Sequence, residues 1–442
     1  MTPRNHALGA SRYEVVPGFG ETASSGISRK GMIMRGDLGG RGDLVRSGLK
    51  VILGVAACFL PVFVRAQEDG GLTSKSRVHD VRTNMATVAR AFQDLQPYLV
   101  SREKFESPEN EKAIAALLET LSAGFHRIES APPRFRQEPG FAGTLTLLND
   151  LLADSRNRFD EGSKGYVLWR LRNSVDYCVT CHTRYEVKVD FLAPEPEPAA
   201  LNSYQRAEFL LATRQFEAAA AAFLRAVHSP PNGHLRIDAL RRWLLIYTRV
   251  HPEPQKALRE LTGLRKEMSF SKPEDEEIQG WLESLRRWSN ESRRIEVTPI
   301  RRAEHLIQQA LALKEPLVGR NGTVELFRAT AILHQLLEDG RPEAAAQRAR
   351  ALRLLGVAYS EIPFLFVSDL PELFLEECIR EFAGSEDARK AFQLYQHLVT
   401  LEYTGSGGTG LPTDVEATLR ELYGLAYKSS GENEFSNAPG RL

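Results

Sequence analysis

Residues 78–99 read VHDVRTNMATVARAFQDLQPYL, and this stretch decides the fold class. Its apolar side chains recur at alternating steps of three and four residues, which is the spacing of the buried seam of a bundle helix. The residues on this seam are Val78, Val81, Met85, Val88, Phe92, Leu95 and Leu99. The pattern predicts one long amphipathic helix, with Pro97 bending or unwinding its end.

Three further helical stretches follow this first one. They cover about residues 108–131, 141–159 and 164–184, and each carries apolar side chains at helical spacing. Four amphipathic helices joined by short connections predict an antiparallel four-helix bundle. We assign residues 67–192 to this first domain.

A different pattern of small and aromatic residues occupies residues 201–428. Its clearest copy consists of Ala207, Leu210, Phe216, Ala219, Phe223, Ala226 and Pro231. These offsets resemble a tetratricopeptide unit, and weaker echoes occur at 352–359 and 388–395. The period is not kept between them, so we expect a tetratricopeptide-like α-solenoid of roughly three to five helix pairs. The alternative is a generic helical domain without a binding groove. In both cases the whole chain is predicted to be all-α.

Two segments of biased composition border the second domain. Residues 193–200 read APEPEPAA, in which alternating prolines favour an extended, semi-rigid linker between the domains. Residues 429–442 are rich in Ser, Gly and Asn, and this composition predicts a disordered tail.

The sequence of residues 1–66 indicates a targeting segment that is removed, and not a folded domain. Basic residues precede an apolar run at 51–64, which is followed by Arg65-Ala66. This is the pattern of a signal peptide cleaved near Ala66, behind a start codon set too far upstream. We therefore expect export to a bacterial periplasm. A second interpretation takes Val55-Ala56-Ala57-Cys58 as a lipoprotein box with a lipid on Cys58, and we expect membrane association only in that case. A third is an uncleaved short anchor.

The composition excludes several classes of protein. The chain has 442 residues, with 57 Lys and Arg against 57 Asp and Glu, and 42% of its residues are hydrophobic. These values are ordinary for folded soluble protein, and they argue against a disordered chain, a collagen and a polytopic membrane protein. Zero net charge gives no reason to expect binding to nucleic acid.

The strongest chemical signal is Cys178-Val179-Thr180-Cys181-His182, a C-x-x-C-H motif. On a helix, its two cysteines and its histidine share one face. Thiols at this spacing can add to the two vinyl groups of haem, and the adjacent imidazole then lies under the iron. We therefore predict one covalent haem c on Cys178 and Cys181, with His182 as an axial iron ligand.

Three other interpretations of the motif are open. A redox-active dithiol would need a βαβ setting, which the helical periodicity does not predict. A zinc site would need two more ligands nearby, yet no other cysteine lies in the domain. The third interpretation is coincidence.

The position of the motif resembles that of class II cytochromes c, the cytochrome c′ type, over about residues 75–190. In that family the motif ends the fourth helix of the bundle. Asp80–Val88, which reads DVRTNMATV, resembles the first helix of the low-spin members, and His182-Thr183-Arg184-Tyr185 resembles the end of their fourth helix. The basic residue usual after that tyrosine is Glu186 here. The resemblance implies that Met85 binds the iron opposite His182.

The position and the chemistry of Met85 also favour it as an iron ligand. It is the only methionine between residues 35 and 267, and it lies on the inward seam of the first helix. A thioether is a soft ligand that raises the potential of a His-ligated haem. Alternatively, Met85 only packs in the core and leaves the iron five-coordinate, or His126 or His79 binds instead.

These features predict an electron-transfer protein without catalytic machinery of its own. The haem domain would carry one electron between redox partner proteins, and the helical-repeat domain would dock a partner. A haem-based NO or CO sensor with five-coordinate iron is the main alternative. A scaffold with a structural haem is a third hypothesis.

Overall fold

A computed structural model describes residues 74–128, 139–184, 201–230, 234–291, 297–313, 322–339, 344, 346–362, 366–405 and 408–428. All of these residues belong to one compact unit, Glu68–Leu442. The predicted signal region with Cys58, the linker at 193–200 and the tail at 429–442 lie outside them. No helix in the described ranges is both long enough and apolar enough to cross a membrane.

The described residues are almost entirely helical, which confirms the all-α prediction. The helices are α1 Ser74–Leu99, α2 Arg102–Glu106, α3 Glu111–Ile128, α4 Pro139–Asp160, α5 Lys164–Arg172, α6 Val175–His182, α7 Ser203–Ala212, α8 Phe216–His228, α9 His234–Leu245, α10 Pro254–Glu267, α11 Lys272–Asn290, α12 Pro299–Ala312, α13 Thr323–Glu338, α14 Arg348–Ser360, α15 Leu370–Glu381, α16 Glu386–Glu402 and α17 Thr413–Ala426. A 3-10 turn at Pro108–Asn110 precedes α3, and a π-helical turn at Ile246–Val250 extends α9. Strands β1 Thr404–Gly405 and β2 Gly408–Thr409 form a short antiparallel pair.

Helices α1, α3, α4 and α5 surround a first apolar cluster. Helix α1 packs against α3 and α5, while α4 packs against α3 and α5. We call this cluster the N-terminal core; it contains buried apolar side chains between Val88 and Leu171, together with Phe209 and Ala212 of α7. Helix α1 continues through Pro97 to Leu99, so the expected unwinding at this proline does not occur.

Close approach of α1 and α3 depends on a glycine. A Cβ atom at Gly124 of α3 would lie 2.5 Å from Cγ2 of Val88 on α1, which is closer than real contacts allow. The side chain of Val88 can therefore rest directly on the α3 backbone.

The predicted fourth helix at 164–184 is interrupted, and it forms two helices instead of one. The break lies at Asn173 and Ser174, whose side chains donate hydrogen bonds to backbone carbonyls of the preceding turn. Asn173 Nδ2 donates to Trp169 O at 3.0 Å, and Ser174 Oγ donates to Leu171 O at 2.7 Å. Such local bonds compete with helix continuation. As a result α5 packs against α1 and α4, whereas the motif helix α6 packs against α4 and α7.

The helices after residue 203 share a second cluster, which we call the C-terminal core. It contains buried apolar side chains between Ala207 and Ala426, together with Val179 of α6. Most residues of the tetratricopeptide-like pattern and of its two echoes are buried: Ala207, Leu210, Ala219, Phe223, Ala226, Leu352, Leu355, Gly356, Tyr359, Ala388, Phe392 and Tyr395. Helices adjacent in the sequence pack on one another, as in the pairs α7 with α8 and α13 with α14.

The helices on the two sides of the predicted linker are in direct contact. Phe209 of α7 stacks on Phe92 of α1, with ring centroids 6.1 Å apart and an interplanar angle of 15°. Helix α15 packs against α4, where a Cβ atom on Gly143 would lie 2.8 Å from Leu373. The C-terminal half of the chain therefore packs directly on helices α1 and α4.

Candidate functional site

Helix α6 carries the C-x-x-C-H motif between the two cores. Cys178, Cys181 and His182 lie on one helical face and are each partly buried, and Cys178 packs against the N-terminal core. Val179 and Thr180 lie on the opposite face and are fully buried, with Val179 in the C-terminal core. Both faces of this short helix therefore contact protein.

The C-terminal end of α7 meets the motif helix. Arg214 has a left-handed φ of 66°, and its N–H donates to Leu211 O at 3.1 Å. The next N–H, of Gln215, donates to Leu210 O at 2.9 Å. These two bonds form a Schellman turn, which satisfies carbonyls that a helix end would leave without partners. The carbonyl of Ala212 is not used in this turn, and it accepts a hydrogen bond from the motif histidine.

The hydrogen bond of His182 fixes its tautomer. Nδ1 of His182 lies 2.6 Å from the carbonyl oxygen of Ala212. Because a carbonyl oxygen can only accept, the proton of the neutral ring is on Nδ1 and the lone pair is on Nε2. Burial, and then the charge of Arg214, lowers the pKa of His182 to about 4, so the ring is neutral at pH 7. Metal-binding histidines commonly have one nitrogen held in this way while the other binds the metal.

Neither motif thiol forms a disulfide in the described structure. Burial, and then the neighbouring Cys181, raises the pKa of Cys178 to about 12. A thiol with this pKa is protonated at pH 7 and is a poor nucleophile. Redox-active dithiols instead need a cysteine of lowered pKa, so this environment disfavours the dithiol interpretation.

The candidate second ligands occupy different environments. Met85 is partly buried at the edge of the N-terminal core, against which Cys178 also packs. His126 is exposed, and its Nδ1 lies 3.2 Å from Oδ1 of Asn149. The side chain of His79 lies outside the described part of the structure. Met85 is therefore the candidate that shares a core with the motif.

A buried ion-pair cluster fastens α6 to α7 and α9. Arg242 of α9 donates through Nη2 to Asp176 of α6, and its Nε lies 3.1 Å from Oε1 of Glu208 on α7. The side chain of Arg242 is only 7% exposed. In addition, the Thr180 hydroxyl accepts a hydrogen bond from the backbone N–H of Val367 at 3.3 Å. Together with the histidine bond, these contacts fix α6 against the C-terminal half of the chain.

The carboxyl group of Glu208 has an unusual affinity for protons. Burial raises its pKa to about 7, because the loss of hydration outweighs the attraction of Arg242. The nearby carboxylates of Asp176 and Asp238 act in the same direction as burial, whereas a hydrogen bond with Tyr204 opposes it. Glu208 is therefore partly protonated near neutral pH in the folded protein.

This raised pKa makes stability depend on pH. Between about pH 4.5 and 7 folded Glu208 binds a proton that the unfolded chain releases, so the free energy of unfolding decreases as the pH rises. The contribution is up to about 3 kcal/mol. In denaturant titrations, the unfolding free energy of Glu208→Gln should no longer show the part of the decrease with pH that comes from Glu208. The exposed control Glu217→Gln should show the same decrease as wild type. Identical pH profiles for the Glu208→Gln variant and wild type would contradict the assignment.

Reasoning from sequence found the motif but not the residues that support it. Ala212 acts through its backbone, and Arg214, Arg242 and Val367 come from distant parts of the chain. The local signal at residues 212–215 is weak, because Schellman turns usually have glycine at the left-handed position and this one has arginine.

No protein-family model, curated protein or solved structure matches the chain. Within the described ranges, no group of three or more His, Cys, Asp and Glu side chains is arranged to hold a metal ion. The assignment of the site therefore depends on the geometry of the motif and its neighbours.

Proposed function

We propose that this chain is an exported monohaem c-type cytochrome that carries one electron between redox partner proteins in the periplasm. Cys178 and Cys181 would hold haem c through thioether bonds, and His182 and Met85 would bind its iron. The observation that carries this proposal is the hydrogen bond from His182 Nδ1 to Ala212. It leaves Nε2 as the metal-binding nitrogen, on the face of α6 that also holds both thiols.

The residues of the site have the chemistry that such a group requires. Two thiols that form no disulfide and a neutral imidazole, all on one helical face, are the donor set for c-type attachment. A thioether and an apolar core lie nearby. Haem of this kind, when bound, supplies a one-electron couple at its iron.

The chain's own residues then have three tasks. His182 presents Nε2 in an orientation that α7 fixes through Ala212. Met85 contributes a soft thioether, which raises the reduction potential relative to His ligation alone. The N-terminal core excludes water, and this exclusion adjusts the potential further.

The helix contacts support a specific architecture for this proposal. The mutual packing of α1, α3, α4 and α5 is what a four-helix bundle of the class II cytochrome c type requires for residues 67–192. The break before α6 is a departure from that pattern. The packing of successive helices after residue 203 supports a tetratricopeptide-like α-solenoid over residues 201–428.

The helical-repeat region is the proposed docking surface for a redox partner. Because α7 contacts α6 directly, a partner bound near α7 is held close to the haem. This proximity raises the effective concentration of the partner at the electron-transfer site. We propose no nucleic-acid partner, and membrane attachment only through a lipid on Cys58.

The visible spectrum of the exported protein tests this function and the role of Met85. Ferric wild-type protein should be low-spin and should show the weak long-wavelength charge-transfer band of methionine–sulfur ligation. Met85→Leu should lose this band, bind CO readily when reduced, and have a potential lower by on the order of 100 mV. Met268→Leu is the matched control, because Met268 packs against the C-terminal core and should leave the spectrum unchanged.

A high-spin wild-type spectrum with ready CO binding would contradict electron transfer and support the gas-binding alternative. Colourless wild-type protein with unmodified thiols, after expression with a working cytochrome maturation system, would contradict both functions.

A further inference from the structure

Arg214 occupies a backbone conformation that arginine normally avoids. Its φ is 66°, and among the described non-glycine residues it is the one with a positive φ. The position is the one after the helix cap in a Schellman turn, where glycine is strongly preferred because it has no Cβ atom. Arginine at this position costs stability relative to glycine.

The side chain of Arg214 is buried, and it belongs to the turn that contacts the motif histidine. Arg214 is only 7% exposed, and its guanidinium carbon lies 5.8 Å from the ring centroid of Phe216. It follows by two residues the carbonyl of Ala212, which holds the ring of His182 at 2.6 Å. A buried positive charge therefore lies in the turn whose Ala212 carbonyl holds the proposed iron ligand.

We propose that Arg214 is a positioning residue of the haem site, whose buried charge raises the reduction potential while its turn directs the Ala212 carbonyl to His182. The helical-repeat region thereby completes the haem site and does more than dock a partner. This inference rests on the proposed function. Its physical basis is that reduced haem iron has one positive charge fewer than oxidised iron, so a nearby cation favours the reduced form.

A purely structural role for Arg214 leads to different results. If the arginine served only to pack on Phe216 or to close the turn, replacing it would change stability and leave the potential unaltered. Glycine is the best residue for this backbone conformation, so Arg214→Gly removes the charge and relieves the strain at the same time. Arg214→Lys retains the charge and the strained conformation. Arg214→Asn is a second uncharged variant that tolerates a left-handed φ.

The experiment is redox titration of the three holoprotein variants beside wild type, with thermal unfolding of each. In Arg214→Gly and Arg214→Asn, the ratio of oxidised to reduced protein at a fixed potential should increase about three- to tenfold. A tenfold change corresponds to about 59 mV for one electron. Arg214→Lys should stay within about twofold of wild type. The thermal midpoint of Arg214→Gly should be equal to or higher than that of wild type.

Three other outcomes would contradict the inference, and each identifies a different cause. An unchanged ratio in a folded, haem-loaded Arg214→Gly protein refutes the role of the charge and leaves the proposed function intact. An equal shift in Arg214→Lys and Arg214→Gly attributes the effect to something other than charge. Wild-type protein without haem refutes the proposed function and this inference together.

Discussion

A Cys178→Ser/Cys181→Ser variant is expected to be exported without any covalently attached haem. A serine hydroxyl does not form the thioether bond that a thiol makes with a vinyl group, so attachment should be lost completely. The motif occurs once in the chain, and wild-type protein should therefore carry one haem. Intact-protein mass and haem staining after denaturing electrophoresis measure the result.

Cys378→Ser is the matched control for this variant. Cys378 is fully buried in α15, and its Sγ lies 3.2 Å from the carbonyl oxygen of Ala349, which a serine hydroxyl can also contact. This variant should retain one haem per chain. Covalent haem in the double variant, or its loss in the control, would show that the attachment site is not at Cys178 and Cys181.

An Arg242→Met variant is expected to lose about 3–5 kcal/mol of unfolding free energy at pH 8, because it leaves buried carboxylates without their cation. The affected carboxylates are those of Asp176 on α6 and Glu208 on α7. At pH 5 the loss should be smaller, since Glu208 then takes up a proton and no longer carries a charge. Because the cluster anchors the motif helix, the low-spin haem spectrum should also weaken. Denaturant titrations and visible spectra measure the two effects.

Arg241→Met separates general destabilisation from an effect on α6. Arg241 makes a two-bond ion pair with Glu277, at 2.9 Å and 2.7 Å, and each side chain is 6% exposed. The pair joins α9 to α11 and does not involve α6. Loss of this ion pair should lower the free energy of unfolding by a similar amount and leave the haem spectrum unchanged. If both variants changed the spectrum equally, the Arg242 cluster would have no special role at the site.

Local sequence patterns were sufficient for the fold class and for most helices of the N-terminal half. The apolar seam of α1 and the buried face of α3 follow directly from spacing, since helical periodicity depends only on near neighbours. Val88, Phe92, Leu95 and Leu99 are buried as that spacing requires. The C-x-x-C-H motif likewise lies on one helix, as its spacing predicts.

The break in the fourth helix and the support of the motif required the structure. Asn173 and Ser174 are residues that compete with helix hydrogen bonds, but such residues also occur within intact helices, so their presence alone does not predict an end. The bond from His182 to Ala212 spans 30 residues, and that from Arg242 to Asp176 spans 66. No periodic pattern in one chain specifies partners at such separations.

The shortness of α6 determines when the proposed cofactor attachment would be able to occur. A helix of 8 residues is too short to persist alone in water, so residues 175–182 become helical only when the surrounding helices have docked. Until then the cysteines are solvated, with a thiol pKa of about 8.5 in place of the value near 12 that burial gives Cys178. During biosynthesis the reactive sulfurs thus remain available until residues 203–250 have emerged and folded. The proposed attachment of haem would therefore have a kinetic window that closes when the C-terminal half assembles.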